Sequence, residues 1–416
     1  MPFCRQGSGR FRSIHMHRSF LALQGTASPF FSRLAAALRE REHAVCRVNF
    51  CGGDLAYAGN GDATNFSGRS RDLSDWYVDQ IKTGNFTDVI MFGDCREIHR
   101  PIHPIAQALG VRVHVFEEGY VRPHWLTLES HGVNGRSRLP RDPAWYLDQR
   151  RFTPGSPVAR PTGYNLYERA FHDIRYRSAN TLFAPRFPHY RSHRPRNGFF
   201  EYSGLVARAL RQRQHHRDSD KVTRDLLDAG RAYYIFPLQL NSDAQIVVHS
   251  PFDSVREAIA KVLKSFARHA PADSWLVIKN HPLDTGLIDY RRHSEQLARE
   301  LGVAERMCFI DAGHLPTLLD HARGVVVVNS TVGLSALHHR RPLIALGLAI
   351  YSMPGLTWQG SLDDFWLLGE PPDQHLYQSF LDYVVHHTQI NGDFYTRTGI
   401  EMATAGAVQR LEAAHA

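Results

Sequence analysis

Two stretches of this chain carry the same rhythm: a short apolar run, a glycine or small polar turn, an amphipathic helix, then another apolar run. In the first half the runs are Ser19–Leu23, Ala44–Phe50, Asp88–Phe92 and Val111–Phe116. Helical patterns separate them over Phe30–Arg41, Leu73–Lys82 and Ile102–Leu109, the last closed by Gly110. Ser28 is placed to cap the first helix and Pro29 to open it. The rhythm returns at Arg231, with runs at Ala232–Leu240, Trp275–Lys279, Met307–Ile310, Gly324–Val328 and Pro342–Leu346. Helices are expected over Ser254–Ala267, 286–301, Leu315–Ala322 and a stretch reaching His339. Alternation on this scale implies an α/β fold of two parallel, doubly wound, Rossmann-like sheets with right-handed crossovers. Between them, residues 131–230 lose the strand signal and fill with Pro, Arg, His and Tyr. The expected division is a first domain over 1–185, a basic inter-domain segment over 186–230, a second domain over 231–370, and C-terminal helices over 371–416 that pack back. A chain of 416 residues is long enough for two such cores.

In open parallel sheets, ligands bind beyond the carboxyl ends of the strands. The run Trp275–Lys279 delivers Lys279, Asn280, His281, Pro282 and Asp284 to that place. A lysine, an amide and an imidazole there suit a phosphate and a departing group, and Pro282 stops the strand and fixes the direction of His281. At the end of Ala232–Leu240, the stretch Gln239–Gln245 supplies Gln239 and carries Asp243. Gly324–Val328 runs into Asn329, Ser330 and Thr331 at a helix start, where N–H groups and hydroxyls suit a phosphate; simple N-capping is the alternative. In the first half, the turns after the first two runs supply Gly25, Ser28, Gly53 and Asp54 as substrate-contacting candidates. Glu117 and Glu118 follow the fourth run. Two adjacent acids tend to raise one pKa, which suits a general acid or base; a solvated loop with Glu paired to Arg122 is the alternative.

Charge and composition narrow the ligand. The net charge is +8, with 25 histidines besides, which favours anionic partners. Between Arg186 and Arg217 there are eight arginines, four histidines and one acid, interleaved with aromatic residues. That pattern is either a solvated basic face or a patch for anionic phospholipid. No nucleic-acid motif accompanies it, so nucleic acid is not an expected partner. The five cysteines show no CxxC spacing, so neither a disulfide framework nor a zinc site is expected. Asp218-Ser219-Asp220 forms a DxD before an expected helix at Lys221–Leu227, which suggests N-capping and not a metal. No GxGxxG follows the first strand, so the standard dinucleotide fingerprint is absent. The basic N-terminus lacks a signal-peptide core, and no apolar run reaches the roughly 20 residues that cross a bilayer. The expected location is the cytoplasm, at the inner face of a membrane.

Two Rossmann-like domains with facing strand ends form a cleft, the layout of a GT-B glycosyltransferase. The residues alone lead to a two-domain protein acting on a nucleotide-activated substrate. Segments 23–54, 115–129, 236–246, 278–286 and 329–351, including VFEEGY, FPLQLNSDAQI, IKNHPLDTG and NSTVGLSALHHRRPLIALG, carry this further. In these stretches the chain resembles the bacterial capsule polysaccharide family of the KpsS/LipB type. The resemblance implies a retaining β-Kdo transferase that uses CMP-Kdo, needs no cofactor, and begins a poly-Kdo linker on a phosphatidylglycerol-type lipid at the inner membrane. It further implies Asp243 as nucleophile and His281 on the CMP phosphate, supported by Lys279, Ser330 and Thr331. Glu118, or Glu117 as its rival, would act on the incoming hydroxyl, and other capsule biosynthesis proteins would be partners. Competing readings are a CMP-sialic acid transferase, a sugar-nucleotide epimerase, and a non-catalytic capsule assembly or export adaptor.

Overall fold

In this computed structural model the described residues are 17–192, 214–240, 246 and 248–413. The first sheet contains β1 (Ser19–Ala22), β2 (Ala44–Asn49), β3 (Ala63–Asn65), β4 (Asp88–Phe92), β5 (Arg112–Glu118) and β6 (Trp125–Ser130). The second contains β7 (Tyr233–Pro237), β8 (Trp275–Lys279), β9 (Met307–Ile310), β10 (Gly324–Val327) and β11 (Leu343–Ala345). In space the first sheet runs β3-β2-β1-β4-β5 as five parallel strands, with β6 turned back antiparallel on β5. The second runs β9-β8-β7-β10-β11, all parallel. Both therefore have the order 3-2-1-4-5 of a Rossmann sheet, with the reversal of winding between β1 and β4 and between β7 and β10. Central strands are buried on both faces, which is why Val89, Ile90 and Met91, or Leu276, Val277 and Ile278, form unbroken apolar runs.

The chain ends by returning to the first sheet. Helix Gln374–Thr388 packs on helix Pro143–Gln149, and then β12 (Gln389–Asn391) adds an antiparallel strand beside β6. Helix Arg397–Ala413 lies on helix Phe30–Glu40, so that Ile400, Ala403 and Leu411 share a core with Phe30 and Leu34. Tyr120, Leu139 and Tyr146 from the first half join Val325, Leu334 and Tyr351 from the second in another shared core. Among the described residues no helix is long and apolar enough to cross a membrane.

Three local expectations need correction. The DxD does not cap a helix: residues 214–228 are helical throughout, and the Ser219 hydroxyl accepts from the Ala312 N–H at 3.1 Å. Helix Phe30–Glu40 begins after Pro29, and Ser28 Oγ accepts from the Phe30 N–H at 3.3 Å without filling the cap position. Glu117 and Glu118 belong to β5 and do not follow it, because pairing with Thr127 and Leu126 of β6 extends the strand.

Candidate active-site cleft

The two winding reversals each carry a cluster of hydrogen-bonded polar groups. At β7/β10, Gln239 and Asn329 are both buried and bind each other. The Gln239 amide donates to Asn329 Oδ1 at 3.0 Å, and the Asn329 N–H donates to Gln239 Oε1 at 3.3 Å. Asn329 Nδ2 also donates to the His249 carbonyl at 3.1 Å. At β1/β4, Arg96 donates to Gln24 Oε1 at 3.0 Å and to the Gly25 carbonyl at 2.9 Å. Gly25 is thus a backbone anchor for the loop after β4.

His249 joins the two places. Its Nε2 lies 3.2 Å from Cys95 Sγ, and that thiol donates to Asp94 Oδ1 at 3.3 Å. Burial, with Asp94 adding to it, pushes the thiol up to about 12. Burial holds His249 below the ordinary imidazole value, against Asp94, which raises it. The thiol proton goes to Asp94, so the imidazole Nε2–H donates to sulfur. Asp94 Oδ2 is buried and has no hydrogen-bond partner among the described residues; Arg136 and His103 stand at 3.8 Å. Gly132 and Gly135 permit this approach, since a Cβ on Gly135 would sit 2.4 Å from His249 Nδ1. Asp94, Cys95 and His249 place ligand-type atoms within 4.8 Å of one another, a set a soft divalent cation such as zinc takes.

The exit of β8 is a compact turn. Asn280 Oδ1 accepts from the His281 N–H at 2.8 Å, and its amide donates to Asp311 at 2.9 Å and Asp284 at 3.3 Å. Asp284 accepts from the Gly286 N–H at 3.2 Å. Asn280 and Asp284 therefore shape the turn at Pro282. His281 Nδ1 accepts from the Leu283 N–H at 3.1 Å, which puts the ring proton on Nε2 as a donor. Lys279 is buried beside this turn. At β10, Ser330 Oγ accepts from the Val332 N–H at 3.2 Å, and Thr331 occupies the cap position of helix Val332–His338 without a side-chain cap bond. Asp243 lies outside the described residues, as does the part of the basic segment over 193–213.

Glu117 and Glu118 point to opposite faces, as successive strand residues must. A Cβ on Gly93 would lie 3.4 Å from Glu117 Oε2, which puts this carboxylate beside the Asp94–Cys95 loop. Glu118 accepts from the Tyr395 hydroxyl at 3.0 Å and pairs with Arg169 at 3.5 Å. Arg122 is not its partner; Arg122 Nε donates to the Gly119 carbonyl at 3.3 Å. Ser28 is bound to Thr26 Oγ1 at 2.8 Å. The Gly53 N–H donates to Asn180 at 2.6 Å, and Asp54 accepts from Tyr176 at 2.8 Å, Phe50 N–H at 2.9 Å and Gln24 at 3.1 Å. Gly53 and Asp54 thus fasten helix Leu166–Leu182 onto the exit of β2.

The model of the family described as "Capsule polysaccharide biosynthesis protein" matches residues 87–395, which run from β4 through the whole second sheet to β12. The chain belongs to this family. It is 36% identical over 383 residues to the capsule polysaccharide export protein KpsS of Escherichia coli, covering 91% of this chain and 97% of that protein. It is 34% identical over 386 residues to the capsule polysaccharide modification protein LipB of Neisseria meningitidis, covering 91% and 92%. Among solved structures, the β-Kdo 2,7 transferase of Thermosulfurimonas dismutans KpsC is similar at 15% identity and a TM-score of 0.45, covering 96% of this chain and all of that one. In this capsule family member, sequence reasoning passed over Asp94, Cys95, His249, Arg169 and Asp311. Gly93-Asp94 at the end of an apolar run was the one available signal. His249 and Arg169 acquire their importance only from partners far away in the chain.

Proposed function

We propose that this capsule biosynthesis protein is a retaining β-Kdo glycosyltransferase. It moves Kdo from CMP-Kdo to a phosphatidylglycerol-type lipid at the inner membrane face and so starts the poly-Kdo linker of a capsular polysaccharide. The observation that carries this reading is the contact between the two winding reversals through His249 and Cys95, at 3.2 Å. In a member of this family, it ties the loop after β4, beside which Glu117 stands, to the segment after β7.

The donor would lie on the second sheet. His281 Nε2–H and the Lys279 ammonium would meet the CMP phosphate, with Thr331 and Ser330 at the start of the following helix. Asn280, Pro282 and Asp284 would hold that turn in shape, and Gln239 with Asn329 would form the floor. The Asp243 carboxylate would attack the anomeric carbon as the bond to CMP breaks, giving a glycosyl-enzyme ester. An acceptor hydroxyl, losing its proton to a glutamate, would then displace Asp243. Two inversions leave the configuration retained. CMP departs as a stabilised anion, so the residues suffice without a metal. Of the two glutamates, Glu117 is favoured as the acid/base because it stands beside the Asp94–Cys95 loop. Glu118 would act through Arg169 and Tyr395, with Gly25, Ser28, Gly53 and Asp54 supporting the acceptor wall. Other capsule biosynthesis proteins would take the product onward.

The test is incubation of the purified protein with CMP-Kdo and a short-chain phosphatidylglycerol, read by mass spectrometry. A product heavier by one Kdo is expected, and Asp243→Ala should abolish it with the circular dichroism spectrum unchanged. Absence of product in the wild-type protein, with no binding of CMP by calorimetry, would overturn the reading.

A further inference from the structure

Helix Leu166–Leu182 is built inside out. A helix at the surface of a globular protein normally turns its apolar stripe to the core. Here the inward face is polar. Tyr176 binds Asp54 at 2.8 Å, Asn180 binds the Gly53 N–H at 2.6 Å, and His172 Nδ1 meets the Tyr57 hydroxyl at 2.7 Å. Arg169 reaches Glu118 at 3.5 Å from the same side. The contact is close as well as polar, since a Cβ on Gly52 would lie 2.1 Å from the Ala179 carbonyl oxygen. The face turned to solvent carries Tyr167 at 87% exposure, Phe171 at 61%, Ile174 at 51% and Leu182 at 72%. These positions recur at helical spacing along one side. Phe152 and Val158, on the segment leading into the helix, are also exposed.

The charge around this stripe selects its partner. Residues 150–192 contain eight arginines against two acids, Glu168 and Asp173. Arg160, Arg175, Arg186 and Arg191 are exposed. A second copy of the chain docked here would set arginine against arginine. An anionic bilayer would accept the apolar side chains into its interface and the guanidinium groups among its headgroups. We propose that helix Leu166–Leu182 and its flanking segment are the surface that seats this protein on an anionic membrane. The placement deepens the proposed lipid-acceptor function and rests on it for one point only. Through Arg169 and Glu118 the same helix borders the exit of β5, so a lipid acceptor would pass from bilayer to cleft along it.

The test is sedimentation of the full-length protein with vesicles of phosphatidylglycerol and, separately, of phosphatidylcholine. The wild-type protein is expected to sediment with the anionic vesicles and to be released by high salt. The double variant Phe171→Asp/Ile174→Asp changes only exposed side chains, so its circular dichroism spectrum should match the wild type. Its partitioning onto the anionic vesicles should fall by at least about tenfold. A second variant, Arg186→Glu/Arg191→Glu, should lose binding while keeping every apolar residue of the stripe. Wild-type binding by both variants would overturn the proposal, as would equal binding of the wild type to both vesicle types. A dimer in solution that the double variant dissociates would overturn it in favour of a second copy. Vesicle binding needs no CMP-Kdo, and transfer to a soluble short-chain acceptor needs no vesicle. The double variant should keep that transfer rate, so failure of the membrane surface and failure of the transferase reading give different results.

Discussion

Two buried aspartates bracket β4, and they are treated in opposite ways. Asp88 opens the strand with no exposed surface and accepts from Arg18, Arg112, His114 and Thr87. Burial alone would raise its pKa, but the hydrogen bonds from His114, Arg18, Arg112 and Thr87 overrule it and hold the carboxyl well below the usual range. Asp94 follows the end of the same strand, is as deeply buried, and has one carboxylate oxygen without a hydrogen-bond partner among the described residues. The amino edge of the sheet is saturated for stability. At the carboxyl edge, the fold tolerates an incompletely satisfied buried polar group, as expected where a ligand or substrate is to be met.

The comparison can be broken most directly at Asp88. Asp88→Asn should cost about 3–5 kcal/mol, because it leaves Arg18 buried without its counter-charge. Urea unfolding checks this, and a loss under about 1 kcal/mol would remove Asp88 as the anchor of the sheet. Since the folded pKa is depressed, the stability it supplies is present above the ordinary carboxylate value of 3.8 and lost as pH falls below it. The variant should therefore unfold in acid with a flatter profile than the wild type.

A third buried acid lies between these extremes. Glu129 accepts from Tyr120 and Ser137, both at 2.5 Å, yet burial pushes it up to about 7 against those hydrogen bonds. The folded protein favours its protonated form. Stability is thus full below the ordinary value of 4.5 and is lost as pH rises through about 7. Relative to Glu129→Gln, the wild type should lose on the order of 3 kcal/mol across that window. Parallel stability profiles for the two proteins would contradict this.

Asp94→Asn should change stability by less than about 1 kcal/mol while lowering transfer by about two orders of magnitude. A variant that unfolds like Asp88→Asn would erase the contrast between the two edges. The smallest effect is expected for Cys95→Ser, which keeps a donor between His249 and Asp94. It should cost no more than about 1 kcal/mol and leave most of the activity. Complete loss of activity would show that sulfur itself, and not a hydrogen-bonding bridge, is required there.

The α/β architecture was legible because buried parallel strands write themselves as unbroken apolar runs. Asp88–Phe92 and Trp275–Lys279 were bounded from sequence as they stand in the structure. β6, Trp125–Ser130, was not foreseen, and its pairing is what draws Glu117 and Glu118 into β5. Three-residue β12 carries no pattern of its own and exists only because β6 offers an edge. At the site, strand exits were readable one at a time, so Gln239, Lys279, His281 and Asn329 stood out as candidates. Their joining was not readable. Cys95 and His249 are 154 positions apart, and nothing local to HSPFD marks a partner beside the other sheet.

The return of the chain to its first sheet has a consequence for the order in which the protein is made. Arg18 donates to the Leu411 carbonyl, and the helix that covers Phe30 and Leu34 begins at Arg397. During synthesis the second sheet has all its strands once Ala345 is out, while the first still waits for an edge strand and a covering helix. The half of the molecule that leaves the ribosome first is therefore finished last. A premature stop near the C-terminus would strip a hydrophobic face from the oldest part of the chain.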